Sequence, residues 1–349
     1  MNTKIVKLDE QCIDDEKIKE AGRCIREGGI VAFPTETVYG LGGNAMDASA
    51  VEKIFEAKGR PHDNPLIIHV ADFDIEKYVE EVPDVAKKIM ERFCPGPITM
   101  ILKKKDIIPY ATSANLETIG VRMPKDEIAR RLIKYSGVPI AAPSANISGR
   151  PSPTDIESCI EDLDGKVDYI LGGKNSIVGV ESTIIDCTVS PICILRPGAI
   201  TLEMLREIDK DVYIDPVILS KPGKDFKPKA PGMKYRHYAP KAPVKIIDGE
   251  IGKTVEKINE MVLNYKRQGK NVGIMATDET KGSYNNDIII SLGSRNNMEE
   301  ISQNLFHVLR AFDNLDVDII LSECFEEKGI GTAIMNRLKK SAGFDILKV

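Results

Sequence analysis

Tryptophan is absent from this 349-residue chain, and aromatic residues make up only 5% of it. A surface that grips single-stranded nucleic acid by stacking bases on rings has little to build with. No cysteine pair has C-x-x-C spacing and no H-E-x-x-H occurs, which removes the common zinc patterns. The seven cysteines are odd in number and scattered. Such usage suits reduced thiols inside a cell rather than a disulfide framework. No G-x-x-x-x-G-K-[ST] is present, so any nucleotide site is not a P-loop. G-x-S-x-G is missing as well, and a hydrolase nucleophile has no support. The first residues, MNTKIVKLDE, lack the apolar core of a signal peptide, and no apolar run is long enough to span a bilayer. A soluble cytoplasmic protein without membrane association is expected. With a net charge of −5, bulk electrostatics do not favour a polyanion, so any RNA contact needs a local basic patch.

What is present is an ordinary globular composition, 42% hydrophobic, on a chain long enough for two domains. Helical spacing is read at 13–28, 48–57, 83–93 and 125–136, and strand-like runs at 29–33, 65–70, 98–102, 120–124, 138–142, 182–186 and 192–198. Their irregular alternation predicts an α/β fold with a mixed sheet over residues 1–215. Residues 216–242 contain a Pro-, Gly- and Lys-rich stretch that suits neither a helix nor a central strand and reads as a linker. From 243 to 349 strands (244–247, 272–276, 288–292, 317–321) alternate with helices (253–268, 297–314, 331–341). That pattern predicts a smaller open-sheet domain.

The chemistry gathers between Pro34 and Val70. The run Ile30–Phe33 delivers Pro-Thr-Glu-Thr into Tyr39-Gly40-Leu41-Gly42-Gly43, read as a glycine-rich turn. A helix then ends at Lys58-Gly59-Arg60-Pro61. Cations there suit a helix C-terminus electrostatically, yet Gly59 and Pro61 also fix the turn and aim both side chains, as a pyrophosphate clamp requires. Thr35, Thr37, Ser144, Asn146 and Ser182 stand at strand ends, where a hydroxyl or amide serves either a turn or a ligand. Arg122 lies in an apolar strand and must be paired or functional; Arg196, before Pro197-Gly198, carries the same two readings. His69 ends a buried strand, where a single histidine is more often a satisfied core residue than a ligand.

Taken together these segments closely resemble the YrdC family in its long two-domain form. The matching elements are PTETVYGLG (34–42), Lys58-x-Arg60, NPLIIHV (64–70), CPGPITMIL (94–102), GVRMP (120–124), PSANISG (143–149), ESTIID (181–186) and LRPGAI (195–200). APGMKYRHYAP (230–240) resembles that form's linker signature, with Ala230 where Ser is more usual. The resemblance implies a twisted mixed sheet with helices around a concave groove, then a Rossmann-like domain. It also implies synthesis of threonylcarbamoyl-AMP from ATP, L-threonine and bicarbonate, for transfer by other machinery to adenosine 37 of ANN-decoding tRNAs.

By the same resemblance Thr35, His69, Arg122, Ala142 and Ser182 hold L-threonine. Lys58, Arg60, His62, Thr118, Ser144, Asn146, Ser152, Arg196 and Tyr235 hold ATP. Lys58 and Arg60 serve catalysis, Tyr235 covers the nucleotide from a linker acting as a lid, and Mg2+ comes in on the ATP phosphates. Two other readings stay open. One is a double-stranded RNA or tRNA-binding module without turnover, to which the family's concave basic surface points. The other is a carbamoyl transferase, disfavoured by the missing cysteine spacing.

Overall fold

The computed structural model describes residues 2–9, 12–219, 223, 228–233 and 237–349. They form two compact units. The first is built from residues up to 148, from 152–218 and from the described part of 222–234. The second takes in 149–151 and the residues from 237 onward.

The strands of the first unit are β1 (Lys4–Lys7), β2 (Val31–Phe33), β3 (Gly40–Asn44), β4 (Ile67–His69), β5 (Ile98–Lys103), β6 (Thr118–Arg122), β7 (Ile140–Ala141), β8 (Tyr169–Gly172), β9 (Thr183–Asp186), β10 (Cys193–Arg196) and β11 (Tyr213–Ile214). They make one sheet in the order β1-β8-β2-β3-β7-β4-β6-β5-β9-β10-β11. Parallel pairs such as β4–β6 and antiparallel pairs such as β5–β6 occur together, so the sheet is mixed as expected. The helices are α1 (Asp15–Arg26), α2 (Ala48–Lys58), α3 (Asp84–Phe93), α4 (Tyr110–Ser113), α5 (Glu127–Ser136), α6 (Ile156–Leu163) and α7 (Leu202–Arg206).

One reading is corrected. Residues 40–43 are not a turn but the first four residues of β3, hydrogen-bonded on both sides to β2 and β7. Glycine is disfavoured in strands for want of a side chain to pack. Here the space a side chain would need is already filled. A Cβ on Gly42 would lie 2.5 Å from Ile140 Cγ2 and 2.7 Å from Phe33 Cε1.

The two faces of this sheet are covered differently. On one, Ala32, Leu41, Ile68, Met100 and Val121 pack with Val51, Ile54 and Phe55 of α2 and with Ala86 and Ile89 of α3. On the other, Ile18 and Ile25 of α1 and Ile128 and Leu132 of α5 pack on Phe33, Ile140 and Leu171. Further along that second face Ile67, Ile101, Ile184 and Leu195 are covered by Ala230 and Met233 of the expected linker. Strand alternation puts Gly40, Gly42, Ile67, His69, Gly120, Arg122 and Ala142 on the same face, between those two apolar clusters.

The second unit has β12 (Val244–Asp248), α8 (Ile251–Arg267), β13 (Val272–Ala276), β14 (Ile288–Ser291), α9 (Met298–Ala311), β15 (Ile319–Glu323), α10 (Gly331–Ser341) and β16 (Ile346–Lys348). All its pairs are parallel, in the order β14-β13-β15-β12-β16, the open sheet that the alternating pattern implied. Ile258 and Val262 of α8 pack on Val272, Ile274, Ile319 and Leu321. No helix among the described residues is long and apolar enough to cross a membrane.

Candidate functional site

Between β2 and β3 the chain makes a tight turn whose interior is the Thr35 side chain. Thr35 Oγ1 accepts from the amides of Thr37 (3.2 Å) and Val38 (3.3 Å), donates to the Val38 carbonyl (2.6 Å), and lies 2.9 Å from Thr37 Oγ1. The threonine therefore builds the turn, the local role open to any such residue. Two contacts from 176–178 hold this turn: Ser176 Oγ donates to the Thr35 carbonyl at 3.0 Å and the Val178 amide to that of Glu36 at 2.9 Å.

The turn delivers Glu36 to Arg122. Arg122 Nη2 donates to Glu36 Oε1 at 2.7 Å, and the Lys125 amide donates to Glu36 Oε2 at 3.1 Å. Both side chains are buried. So Arg122 is paired within the protein, but only in part, because its buried Nε has no partner. The register of β4 and β6 sets His69 beside Arg122. His69 is also buried, and its Nδ1 has no partner. Burial, with the Arg122 charge adding to it, pushes its pKa down to about 3, so the ring is neutral near pH 7.

A second polar chain continues across the sheet. Thr99 Oγ1 lies 2.8 Å from Ser182 Oγ, which Arg196 Nη2 approaches at 3.2 Å while Arg196 Nε donates to the Ser182 carbonyl at 3.0 Å. All three residues are buried. Strand directions explain the meeting. His69, Arg122 and Arg196 are the last residues of β4, β6 and β10, whereas Thr99 and Ser182 stand at the starts of β5 and β9, which run the other way.

The cations sit where α2 ends. Gly59 adopts φ 59°, its amide and that of Arg60 close the last turn, and Lys58 is left pointing inward with 1% exposure. Lys58 Nζ donates to the Ser144 carbonyl at 2.5 Å and to the Asn146 carbonyl. Ser144 Oγ donates to Asn146 Oδ1 at 2.5 Å, and Ser144 bridges to Gly40 of β3. Arg60 donates to the carbonyls of Asn64 (3.3 Å) and Pro65 (3.0 Å), and the buried Asn64 Oδ1 has no partner.

The structure thus brings Lys58, Ser144 and Asn146 together, His69 and Arg122 together, and Ser182 and Arg196 together. Ala142 donates its amide to the Ile67 carbonyl at 2.9 Å, tying β7 to β4 on the floor between them. Ser152, fully buried, donates to Glu181 Oε1 at 2.6 Å. Thr118 shares a face with Arg122 but stands at the opposite end of β6, four residues or about 13 Å away. His62 is exposed, stacked on Phe55 with its Nδ1 3.4 Å from Glu52. Tyr235 lies outside the described residues.

Sequence reasoning missed Glu36, Thr99, Asn64 and Glu181. For Glu36 a signal existed: a carboxylate beside a buried strand needs a partner as much as Arg122 does. Among the described residues no nucleophile stands out near this pair. Cys94 is close to it, but burial pushes its thiol up to about 11. Among the described residues no group of three or more His, Cys, Asp or Glu side chains is placed to hold a metal ion.

A mixed sheet whose strand ends gather buried arginines, a neutral histidine and hydroxyls, beside an inward lysine, places the chain among α/β proteins with a buried polar cluster at the strand ends. Comparison with known proteins narrows the class. The Sua5_yciO_yrdC family model, described as "Telomere recombination", matches residues 23–198, and one described as "Threonylcarbamoyl-AMP synthase, C-terminal domain" matches 200–343. Threonylcarbamoyl-AMP synthase of Pyrococcus abyssi is 49% identical, over 97% of both chains. That of Bacillus subtilis is 44% identical, again over 97% of both. A crystal structure of P. abyssi Sua5 complexed with L-threonine superposes with a TM-score of 0.94 at 48% identity, covering 99% of this chain and 100% of that one. The chain belongs to the Sua5/YciO/YrdC family, in the form that also carries the synthase C-terminal domain.

Proposed function

We propose that this chain is a threonylcarbamoyl-AMP synthase, a nucleotidyltransferase that converts L-threonine, bicarbonate and ATP into threonylcarbamoyl-AMP, diphosphate and water. The observation that carries the reading is the incomplete polar cluster at the strand ends, in a chain so close to synthases along its whole length. L-Threonine, as bound in the P. abyssi structure by its name, supplies what that cluster lacks. Its carboxylate suits the open Nε of Arg122, and its other polar groups suit His69 Nδ1 and the Thr99–Ser182 hydroxyls. Glu36 holds Arg122 in place, and Thr35 and Ala142 shape the pocket wall.

The threonine amine and CO2 give a carbamate, whose oxygen attacks the α-phosphorus of ATP while diphosphate leaves. This step asks for no protein nucleophile. It asks for positioning and for cations where charge builds up. Lys58, with Ser144, Asn146 and Arg60 around it, meets that need, and Arg196 and Ser152 extend the polar wall toward the nucleotide. Mg2+ accompanies ATP as part of the substrate, held by phosphate oxygens rather than a protein cage. The cover that Ala230 and Met233 form over this face suits a lid excluding water from a labile adenylate. Transfer to tRNA by separate machinery and residence in the cytoplasm complete the proposal. An RNA-binding module without turnover has less support, because the relatives that span the whole chain are synthases by name.

The test is mass-spectrometric detection of threonylcarbamoyl-AMP from purified protein, with each substrate omitted in turn. Product that requires ATP, bicarbonate and L-threonine together supports the reading. Absence of product while ATP and L-threonine still bind removes it.

A further inference from the structure

We propose that a second, unassigned site lies in the basic cavity at α5 and that it binds a phosphate-bearing anion. The cavity, of about 360 Å3, is lined by Ala71, Lys125, Glu127, Arg130, Arg131 and Lys134. Four of these are cations and one is a carboxylate. Glu127 is engaged by Arg131, which also pairs with Asp15 at 2.8 Å. Lys125, Arg130 and Lys134 are exposed, and among the described residues their side chains have no ion pair. Elsewhere on the same unit cations such as Lys4, Lys7, Lys19 and Lys87 stand against a carboxylate. Arg130 and Lys134 are moreover four apart on one helix, where like charges weaken it and a carboxylate at 134 would relieve the repulsion. In a protein of net charge −5, keeping such a repulsion at a cavity points to an anionic ligand.

The position adds to the argument. Ala71 follows His69 by two residues, and Lys125 follows Arg122 by three. Glu36 joins the two places, because Arg122 binds its Oε1 and the Lys125 amide its Oε2. The cavity therefore opens just beyond the C-terminal ends of β4 and β6. None of its lining residues belongs to the set assigned above to ATP or L-threonine. The open guanidinium fork of Arg130 and the two ammonium groups of Lys125 and Lys134 around one hollow suit the oxygens of a di- or triphosphate. A free oligophosphate and a nucleic-acid backbone offer the same chemistry, and the experiment separates them.

The double variant Arg130→Glu/Lys134→Glu is compared with the wild-type full chain, with a non-hydrolysable ATP analogue saturating the reaction site. Inorganic tripolyphosphate is titrated by calorimetry, and a 12-base-pair RNA duplex by fluorescence anisotropy at several salt concentrations. At least one probe is expected to bind about tenfold more weakly in the variant. For RNA the log–log salt slope should also fall by about 1.8, as the loss of two phosphate contacts on a duplex predicts. Weakening of tripolyphosphate alone identifies a free anion as the ligand, and weakening of RNA identifies the backbone. Wild-type protein that binds neither probe, or equal binding by variant and wild type, overturns the proposal. Threonylcarbamoyl-AMP formation is measured in parallel and should be unchanged, so this failure is separable from failure of the synthase reading. If charge reversal prevents folding, Arg130→Gln/Lys134→Gln makes the same comparison.

Discussion

Two buried carboxylates, one in each unit, occupy very different surroundings. Glu323, the last residue of β15 and fully buried, accepts from Tyr284 at 2.6 Å, from Thr277 at 3.4 Å, from Thr280 and from Arg295. Arg295 also donates to the Cys324 carbonyl at 3.0 Å and lies over the Phe325 ring. Only its Nε is left over in that cluster, and both oxygens of Glu323 are doubly occupied. Glu36 has two donors, and beside it Arg122 Nε and His69 Nδ1 lack partners. A saturated network fixes one conformation and has nothing to offer a ligand. An unsaturated one costs stability for as long as its partners are missing. The contrast is between the two carboxylates: both oxygens of Glu323 are filled from within the protein, whereas Glu36 sits among groups that the proposed substrates would complete.

The largest effect should come from Lys58→Ala, which takes the buried ammonium from the Ser144–Asn146 turn. A loss of about 10²–10³-fold in the rate of adenylate formation is expected, by analogy with removing one strong donor to a developing charge. Mass-spectrometric turnover measures it. Near-wild-type turnover would mean that Lys58 only ties the turn together.

Glu323→Ala tests the other side of the contrast. It leaves Arg295 Nη2 and the Tyr284 hydroxyl without the acceptor they share, and a loss of about 3–5 kcal/mol in unfolding free energy of the second unit is expected. Urea denaturation followed in that unit reads it. A much smaller loss would show that saturation there contributes little.

His69→Gln addresses pH. The native pKa of His69, about 3, is below the ordinary value of 6.5. Below pH 6.5 the unfolded chain takes up a proton that the native protein refuses. Stability attributable to the neutral ring is therefore complete above pH 6.5 and drains away as pH falls toward 3, by about 1.4 kcal/mol per unit. Between pH 7 and pH 5 the wild type should lose about 2 kcal/mol more than His69→Gln. Equal losses would place His69 in a wetter setting than the structure gives it.

Gly42→Ala should cost about 1–3 kcal/mol, since its methyl would press on Ile140 and Phe33. A neutral result in thermal unfolding would show that β3 and β7 can part slightly at no cost. His62→Ala, at the exposed end of the proposed nucleotide wall, should change the KM for ATP by about twofold or less, as befits a single solvent-screened contact. A larger rise would bring His62 into the nucleotide site.

Much of this was legible in the sequence, and the limits have physical causes. Strand 272–276 and helix 331–341 were read at their observed bounds because apolar periodicity alone defines them. The helix end at Lys58 was legible because Gly59 and Pro61 mark it chemically. β3 was hidden because glycine signals a turn unless one knows that Phe33 and Ile140 occupy the space above it. The short strands β1, β8 and β16 went unread, being too brief for a pattern to rise above their neighbours. Arg122 was suspected from its apolar setting, but its partner Glu36 lies 86 residues away along the chain. Only the register of β4 with β6 reveals that His69 is its neighbour. Thr35 shows the converse: its motif drew attention to a ligand, and its hydroxyl is occupied by its own turn.

The central claim is that the partnerless atoms beside Glu36 belong to the substrate. The most direct measurement is the 15N–1H signal of Arg122 Nε, assigned by its loss in Arg122→Lys and followed as L-threonine is added. The account predicts a saturable shift of that signal with the same midpoint as calorimetric binding. A signal that stays still while L-threonine binds would contradict it and move the carboxylate contact elsewhere.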